Sequence, residues 1–385
     1  MPKKLTIDNI AHLAGVSRTT VSRVLNHKPD VDSVTRERIL RIIEEQHFVP
    51  STTASGLAGG RSRLIGMLIP AWAWPLIPDL TPGIVEVIKQ TPYELVLYSI
   101  NDEDIERDRS EVINRLLASQ LTAGLLAIFP NRASQHLTRL YKQGFPVVTI
   151  DDQEVQVTPW VSADNMAGAY TAVRHLINLG HRRIAHIRGP SEYLVSHDRY
   201  NGYCQALLEA GIAPDADLVL GGDGDFLPPS GRTYASKLFE LPPEKRPTAI
   251  FAASDQMAYG VLVAADEYGI SIPRDVALVG FDDDAPSMHT RPALTTIRQP
   301  YFEMGQRAIE LLLSMLDTPV ISAYSKEGAI NRPLRLEGTS KGPDSSTSPV
   351  DAQPIRIQLP TSLIVRESCG EFRSPISTLS DKTTW

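Results

Sequence analysis

Ile7-Asp8-Asn9-Ile10-Ala11-His12-Leu13-Ala14-Gly15-Val16-Ser17-Arg18-Thr19-Thr20-Val21-Ser22-Arg23-Val24-Leu25-Asn26 is the stretch that decides how this chain is read. Ile7, Ile10, Ala11 and Ala14 recur at i, i+3, i+4 and i+7, the spacing of one buried helical face. Gly15 permits a sharp reversal because it lacks the Cβ that clashes at positive φ. Ser17 is a good N-cap for a second helix, with Val16 and Val21 at the two ends of a hydrophobic staple. Val21, Val24 and Leu25 then face inward, leaving Arg18, Thr19, Ser22 and Arg23 on the outer face. Those side chains can donate to base edges and phosphates from a helix lying in the major groove. The alternative is an ordinary helical hairpin of a soluble domain, whose outer face is polar too; the combined pattern of turn, cap and groove-reading residue types favours DNA binding.

The surrounding charge agrees. Residues 1–63 carry a balance of +4 and the remainder −11, the asymmetry expected of a DNA-reading module joined to a separate sensing module. No run approaches the roughly 20 apolar residues of a membrane span, and Met1 to Thr6 lacks the apolar core of a secretion signal. The two cysteines, Cys204 and Cys369, form neither a disulfide framework nor a zinc spacing. A cytoplasmic protein is expected, with no metal and no cofactor.

Asp32 or Ser33 caps a third helix carrying Ile39, Leu40, Ile42 and Ile43 inward, with Lys28, Arg36 and Arg38 available to phosphates. This headpiece ends near Pro50, since a residue before proline is pushed out of the helical region. Ser51 to Arg63 is small, polar and Gly-containing, a linker composition. From Leu64 the texture changes. Buried-strand candidates at 64–69, 95–100, 125–129, 147–150, 184–187, 250–253 and 277–281 alternate with helical segments, and Leu363-Ile364-Val365 reads as a last strand. Such alternation predicts an α/β body of doubly wound parallel sheets with helices on both faces, in two similar lobes. The expected domains are a headpiece over 1–49, a hinge over 50–63, a two-lobed body over 64–368 with a low-complexity loop at 338–354, and a tail over 369–385.

Thr6–Asn26 resembles the headpiece of the LacI/GalR family of bacterial transcription regulators. The resemblance continues, in the family's order, through Arg199-Tyr200-Asn201-Gly202-Tyr203, Gly224-Asp225-Phe226, residues 253–260, Val279-Gly280-Phe281-Asp282-Asp283 and Leu294 to Pro300. It implies a periplasmic-binding-protein-like body and a homodimer on a palindromic operator. Control by a small, sugar-like effector follows, as does repression of carbohydrate-utilisation genes. The DNA-binding residues it implies are Thr6, Ser17, Arg18, Thr19, Ser22, Arg23 and Asn26, with Leu57 of a hinge helix wedged into the minor groove. Ser51, the pair Ser55-Gly56 and the long loop at 338–354 depart from the family pattern.

Ligands of open α/β sheets sit beyond the carboxyl ends of the strands. Residues there give the candidate effector site: Trp72, Asp151, Arg199, Phe226, Ser254 and Asp282. Arg199 offers a planar fork of donors, and Asp282 an acceptor for sugar hydroxyls. Phe226 and the pair Trp72/Trp74 offer flat apolar faces, although aromatics are more often core. Ser254 points toward ligand while Asp255 caps the following helix. Asp282-Asp283-Asp284 also raises a cation site, but three adjacent carboxylates do not by themselves make an oxygen cage. Gly221-Gly222-Asp223-Gly224 lacks the spacing of a phosphate loop, and no Walker loop, Rossmann fingerprint, G-x-S-x-G or H-E-x-x-H occurs, so an enzyme is not expected. A solute-binding receptor with the same body and no DNA role is the alternative; the added headpiece argues against it.

Overall fold

The computed structural model describes residues 5–25, 28–46, 48, 62–70, 75–100, 121–129, 134–151, 157–316 and 354–370. Asn26, the hinge segment 50–61 with Leu57, Trp72 and Trp74, all of the 338–354 loop but its last residue, and the tail beyond Gly370 lie outside them. The chain divides into two compact units: Met1–Arg63 with Leu116–Ala123, and Leu64–Arg115 with Gly124–Trp385.

In the first unit, α1 (Ile7–Ala14), α2 (Arg18–Leu25) and α3 (Ser33–Glu45) enclose a small core of Ile10, Ala11, Ala14, Val21, Val24, Ile39 and Phe48. Each helix starts on a side-chain cap. Thr6 and Asn9 form a capping box, Ser17 Oγ accepts from the Thr20 N–H at 3.1 Å, and Asp32 Oδ1 accepts from the Thr35 N–H at 2.9 Å. Gly15 ends α1 at φ 66°, as the reversal requires. One expectation fails: Leu40 is 45% exposed. It sits one residue past the fully buried Ile39, and a step of about 100° around a helix carries it off the inward stripe.

The second unit holds two six-stranded sheets. The first contains β1 (Leu64–Pro70), β2 (Glu94–Ile100), β3 (Thr122–Ile128), β4 (Val147–Ile150), β5 (Trp160–Ala163) and β11 (Arg356–Leu359), in the order β11-β5-β4-β3-β1-β2. The second contains β6 (Ile184–Arg188), β7 (Val219–Gly221), β8 (Ala249–Ala252), β9 (Ala277–Asp282), β10 (Thr295–Arg298) and β12 (Ser362–Ile364), ordered β12-β10-β9-β8-β6-β7. Among the described strand pairs, all but β10 with β12 are parallel. The connecting helices are α4 (Ile77–Ile88), α5 (Ser134–Lys142), α6 (Asn165–Asn178), α7 (Leu194–Glu209), α8 (Pro228–Phe239), α9 (Asp255–Glu267) and α10 (Tyr301–Met315). These are two doubly wound lobes, and no described helix is long and apolar enough to cross a membrane.

The chain crosses between the sheets three times, at 163–165, 298–301 and 359–362. The strands β5, β7, β10 and β11, absent from the sequence-based expectation, are only three or four residues long. Length is not the reason, since β4, β8 and β12 are as short; Ser162, Gly221, the Thr295-Thr296 pair with Arg298, and Arg356 with Gln358 break the apolar runs that marked the others.

Helix pairs pack backbone to backbone through glycines. A Cβ on Gly260 of α9 would collide with the Pro228 carbonyl oxygen, and one on Gly231 of α8 with that of Met257. Gly260→Ala gains up to about 1 kcal/mol of helix propensity but must push α8 and α9 apart, an overpacking cost of about 1–3 kcal/mol. We expect a net loss, read as a lower urea midpoint; an unchanged or higher midpoint would show that the contact yields freely.

Candidate functional site

On the first unit, α2 buries Val21 and Val24 and presents Arg18, Thr19 and Arg23 to solvent, with Ser22 partly exposed. Arg18 approaches Asp8 at 3.9 Å and Arg23 approaches Asp30 at 3.2 Å. All four side chains are more than half exposed, where such pairs hold by less than about 1 kcal/mol and exchange readily for phosphate. Thr6 and Ser17 are exposed but spend their hydroxyls on helix caps. They shape the two helices first, and reach a partner only with their remaining hydrogen-bonding capacity.

In the second unit a pocket opens where the carboxyl ends of the strands in both sheets converge, enclosing about 400 Å³ of space that runs out into open solvent. Pro75 and Leu76 follow β1, Phe129 follows β3, Ser254 and Gln256 follow β8, Asp282 and Asp284 end β9, and Tyr301 follows β10. Val195 and Arg199 come from α7, and Phe226 and Leu227 precede α8. Apolar faces with a few convergent polar groups are the usual make-up of a small-ligand site.

Arg199 is 3% exposed and held on every side. Its Nε donates to Asn165 Oδ1 at 2.9 Å, Nη1 donates to the Ala253 carbonyl, and Nη2 stands 3.7 Å from Asp282 Oδ1. The guanidinium stacks 3.8 Å from the Phe281 ring centre. Asp282 Oδ1 also accepts from Gln299 Nε2 at 2.7 Å and from the Tyr301 hydroxyl at 3.2 Å. Burial pushes the Asp282 carboxyl up, opposed by Arg199, Gln299 and Tyr301.

The three consecutive aspartates separate because Asp282 and Asp283 adopt φ of 123° and 61°, a region costly for residues bearing a Cβ. Asp283 turns to Arg298 and Arg366, each at 2.6 Å. Asp284 accepts from Gln256 Nε2 at 2.8 Å through Oδ2, while its Oδ1 is buried without a partner among the described residues. Burial first, then the charge of Asp282, pushes Asp284 up to about 7. No cluster of metal-ligating side chains occurs among the described residues.

Of the expected effector residues, Arg199, Phe226, Ser254 and Asp282 line this one cavity. Asp151 is not in its lining; it is buried, bonded to Ser162 Oγ at 2.8 Å, and pushed up to about 6 by burial. The division of labour between Ser254 and Asp255 is corrected. Ser254 is the helix cap, accepting from the Met257 N–H at 3.1 Å and donating to the Phe226 carbonyl at 3.0 Å. Asp255 is wholly buried and accepts from Thr296, Ser287 and the Asp284 N–H. A serine and an aspartate in tandem are both good caps, so sequence alone did not rank them. Gln256, Asp284 and Tyr301 were missed; the aspartate run was the one signal for Asp284, and it was weighed only as a cation site.

Residues 6–51 match the model of the bacterial regulatory proteins of the lacI family, and residues 173–329 match a periplasmic binding protein-like domain. Catabolite control protein A of Priestia megaterium is 31% identical over 335 residues, covering 86% of this chain and 98% of that protein. The chain belongs to the LacI family. The transcriptional regulator CelR of Thermobifida fusca is 31% identical over 375 residues, covering 95% and 98%. A solved CelR–cellobiose complex superposes with a TM-score of 0.65 at 30% identity over 94% of this chain and 99% of that one. The lac repressor dimer bound to operator and the anti-inducer ONPF gives 0.75 at 26% identity over 95% and 99%. This LacI-family chain is thus a DNA-binding transcriptional regulator built from a helix-turn-helix headpiece and a two-lobed body.

The elevated Asp284 gives a signed pH dependence. Its carboxyl titrates near 7 in the folded state against an ordinary 3.8. The stability it contributes is full below about pH 4 and is lost as pH rises through 7. Asp284→Asn should therefore gain on the natural protein between pH 4 and pH 8, by a few kcal/mol at about 1.4 kcal/mol per pKa unit. Thermal unfolding at the two pH values reads this difference; an equal offset at both would show that Asp284 titrates normally.

Proposed function

We propose that this protein is a cytoplasmic, ligand-responsive repressor of carbohydrate-utilisation genes. It binds a pseudo-palindromic operator as a homodimer and changes its operator affinity when a small, sugar-like molecule enters the cavity of the body. The domains are a headpiece over 1–49, a hinge over 50–63 and a body over 64–368. The observation that carries the effector half is the cavity itself: a largely buried guanidinium and carboxylate, Arg199 and Asp282, meeting beside the Phe226 ring. A planar fork of donors, an acceptor and a flat apolar face are what a pyranose needs. The related CelR structure, which is in complex with cellobiose, supports this chemistry.

The DNA half rests on the outer face of α2. We assign base reading to Arg18 and Thr19, and backbone contacts to Arg23, Lys3 and Lys4. Asn26 and Leu57 complete the interface by resemblance to the family. No catalytic step is assigned to the cavity: its polar groups hold one another and converge on a ligand-sized space.

Two outcomes test the reading. Arg18→Ala should lower affinity for the preferred operator by about 1–3 kcal/mol and change the order in which operators are preferred. Equal weakening on every sequence would demote Arg18 to a phosphate contact. Asp282→Ala and Arg199→Ala should keep operator binding, measured by fluorescence anisotropy, and lose the response to any sugar that shifts the natural protein. A variant that still responds would remove its residue from the effector site.

A further inference from the structure

Asp284 is the unbalanced charge of the cavity. Among the described lining residues Arg199 is the one cation, and its guanidinium stands against Asp282 at 3.7 Å. Asp284 lines the same cavity, is 4% exposed, and its carboxylate is bonded to Gln256, a neutral amide. Its second oxygen, Oδ1, is buried with no partner among the described residues. The group is held in place: Gln256 fixes Oδ2 at 2.8 Å and Asp255 Oδ2 accepts from the Asp284 N–H at 3.0 Å. A buried acceptor left without a donor costs about 1–3 kcal/mol, more when charged, and a ligand that supplies the donor recovers it.

The neighbouring carboxylates do not turn this into a cation cage. Asp255 is spent on Thr296, Ser287 and a backbone N–H, Asp283 on Arg298 and Arg366, and Asp282 on Arg199, Gln299 and Tyr301. What they leave over is far short of the six or more oxygens a hard cation takes, and no cluster of metal-ligating side chains occurs among the described residues. A single directional acceptor suits a hydroxyl donor.

We propose that Asp284 is a specificity-determining residue of the effector site: its free Oδ1 accepts a hydrogen bond from a hydroxyl of an uncharged saccharide, and its uncompensated charge bars phosphorylated and acidic sugars. This deepens, and rests on, the carbohydrate reading above. Two carboxylates against one guanidinium repel an incoming anion at close range and low dielectric, where like charges cost most. An uncharged saccharide brings the missing donor and no charge.

The test is a thermal-shift and calorimetric panel at pH 8 on the full-length protein. It uses neutral pentoses, hexoses and disaccharides, each beside its phosphate and its uronic or aldonic acid. At least one neutral sugar is expected to bind, and its anionic derivatives to bind at least tenfold more weakly. Asp284→Asn should lose tenfold or more toward the neutral sugar and narrow its preference over the anionic derivative, a change that a merely structural role would not produce. An anionic sugar that binds the natural protein better than its neutral parent overturns the inference while leaving the carbohydrate reading intact. So does an Asp284→Asn variant with unchanged affinity for both. If no member of the panel binds, the carbohydrate reading falls and this inference falls with it.

Discussion

The body of this protein is organised around the Asp282 carboxylate. It ends β9 of the second sheet in a left-handed backbone conformation. It accepts from Gln299 and Tyr301, the two residues through which the chain leaves that sheet for α10. It faces Arg199, which in turn is bonded to Asn165, the residue that opens α6 at another crossing. One carboxylate thus ties two of the three crossings. Burying such a pair is not a route to stability, since desolvating both ions offsets most of their attraction. The pair is held by the hydrogen bonds that Asn165 and Ala253 accept from the guanidinium and that Gln299 and Tyr301 donate to the carboxylate, and it places an acceptor and a cation at the mouth of both sheets.

The fold was largely legible because many of its strands are continuous apolar runs, buried on both faces as parallel sheets require. Leu64–Pro70, Val147–Ile150 and Ala277–Asp282 announce themselves in this way. The strands at 160–163, 219–221 and 356–359 do not: their pairing is set by neighbours far away in sequence, which local pattern cannot register. In the headpiece, Gly15 and Ser17 declared the turn and the cap, whereas Leu40 was misplaced by a single step around α3.

The site was legible in part, and the reason for the rest is backbone geometry. Three consecutive aspartates read as one feature, yet positive φ at Asp282 and Asp283 sends the three carboxylates to different partners. Residue type supplied the chemistry; only the turn could say that Asp283 anchors Arg298 and Arg366 while Asp284 enters the cavity. Ser254 shows the converse. Its hydroxyl lies at the cavity wall, but a helix N–H and a carbonyl already occupy it.

These observations bear on how a ligand would act. A molecule can shift a conformational equilibrium only by as much as its affinity differs between the two states. A ligand touching Arg199 and Asp282 meets groups already bonded to the crossings, so its hydrogen bonds are made in competition with, or in addition to, those that set how the two sheets face each other. Asp284 differs, because its Oδ1, without a partner among the described residues, takes a donor while the Gln256 bond to Oδ2 stands. If Asp284 and the Arg199–Asp282 pair hold the ligand as proposed, specificity and coupling fall on separate residues, and the coupling belongs to the pair bonded to the crossings. By reciprocity, whatever factor the ligand then imposes on operator affinity the operator imposes on the ligand.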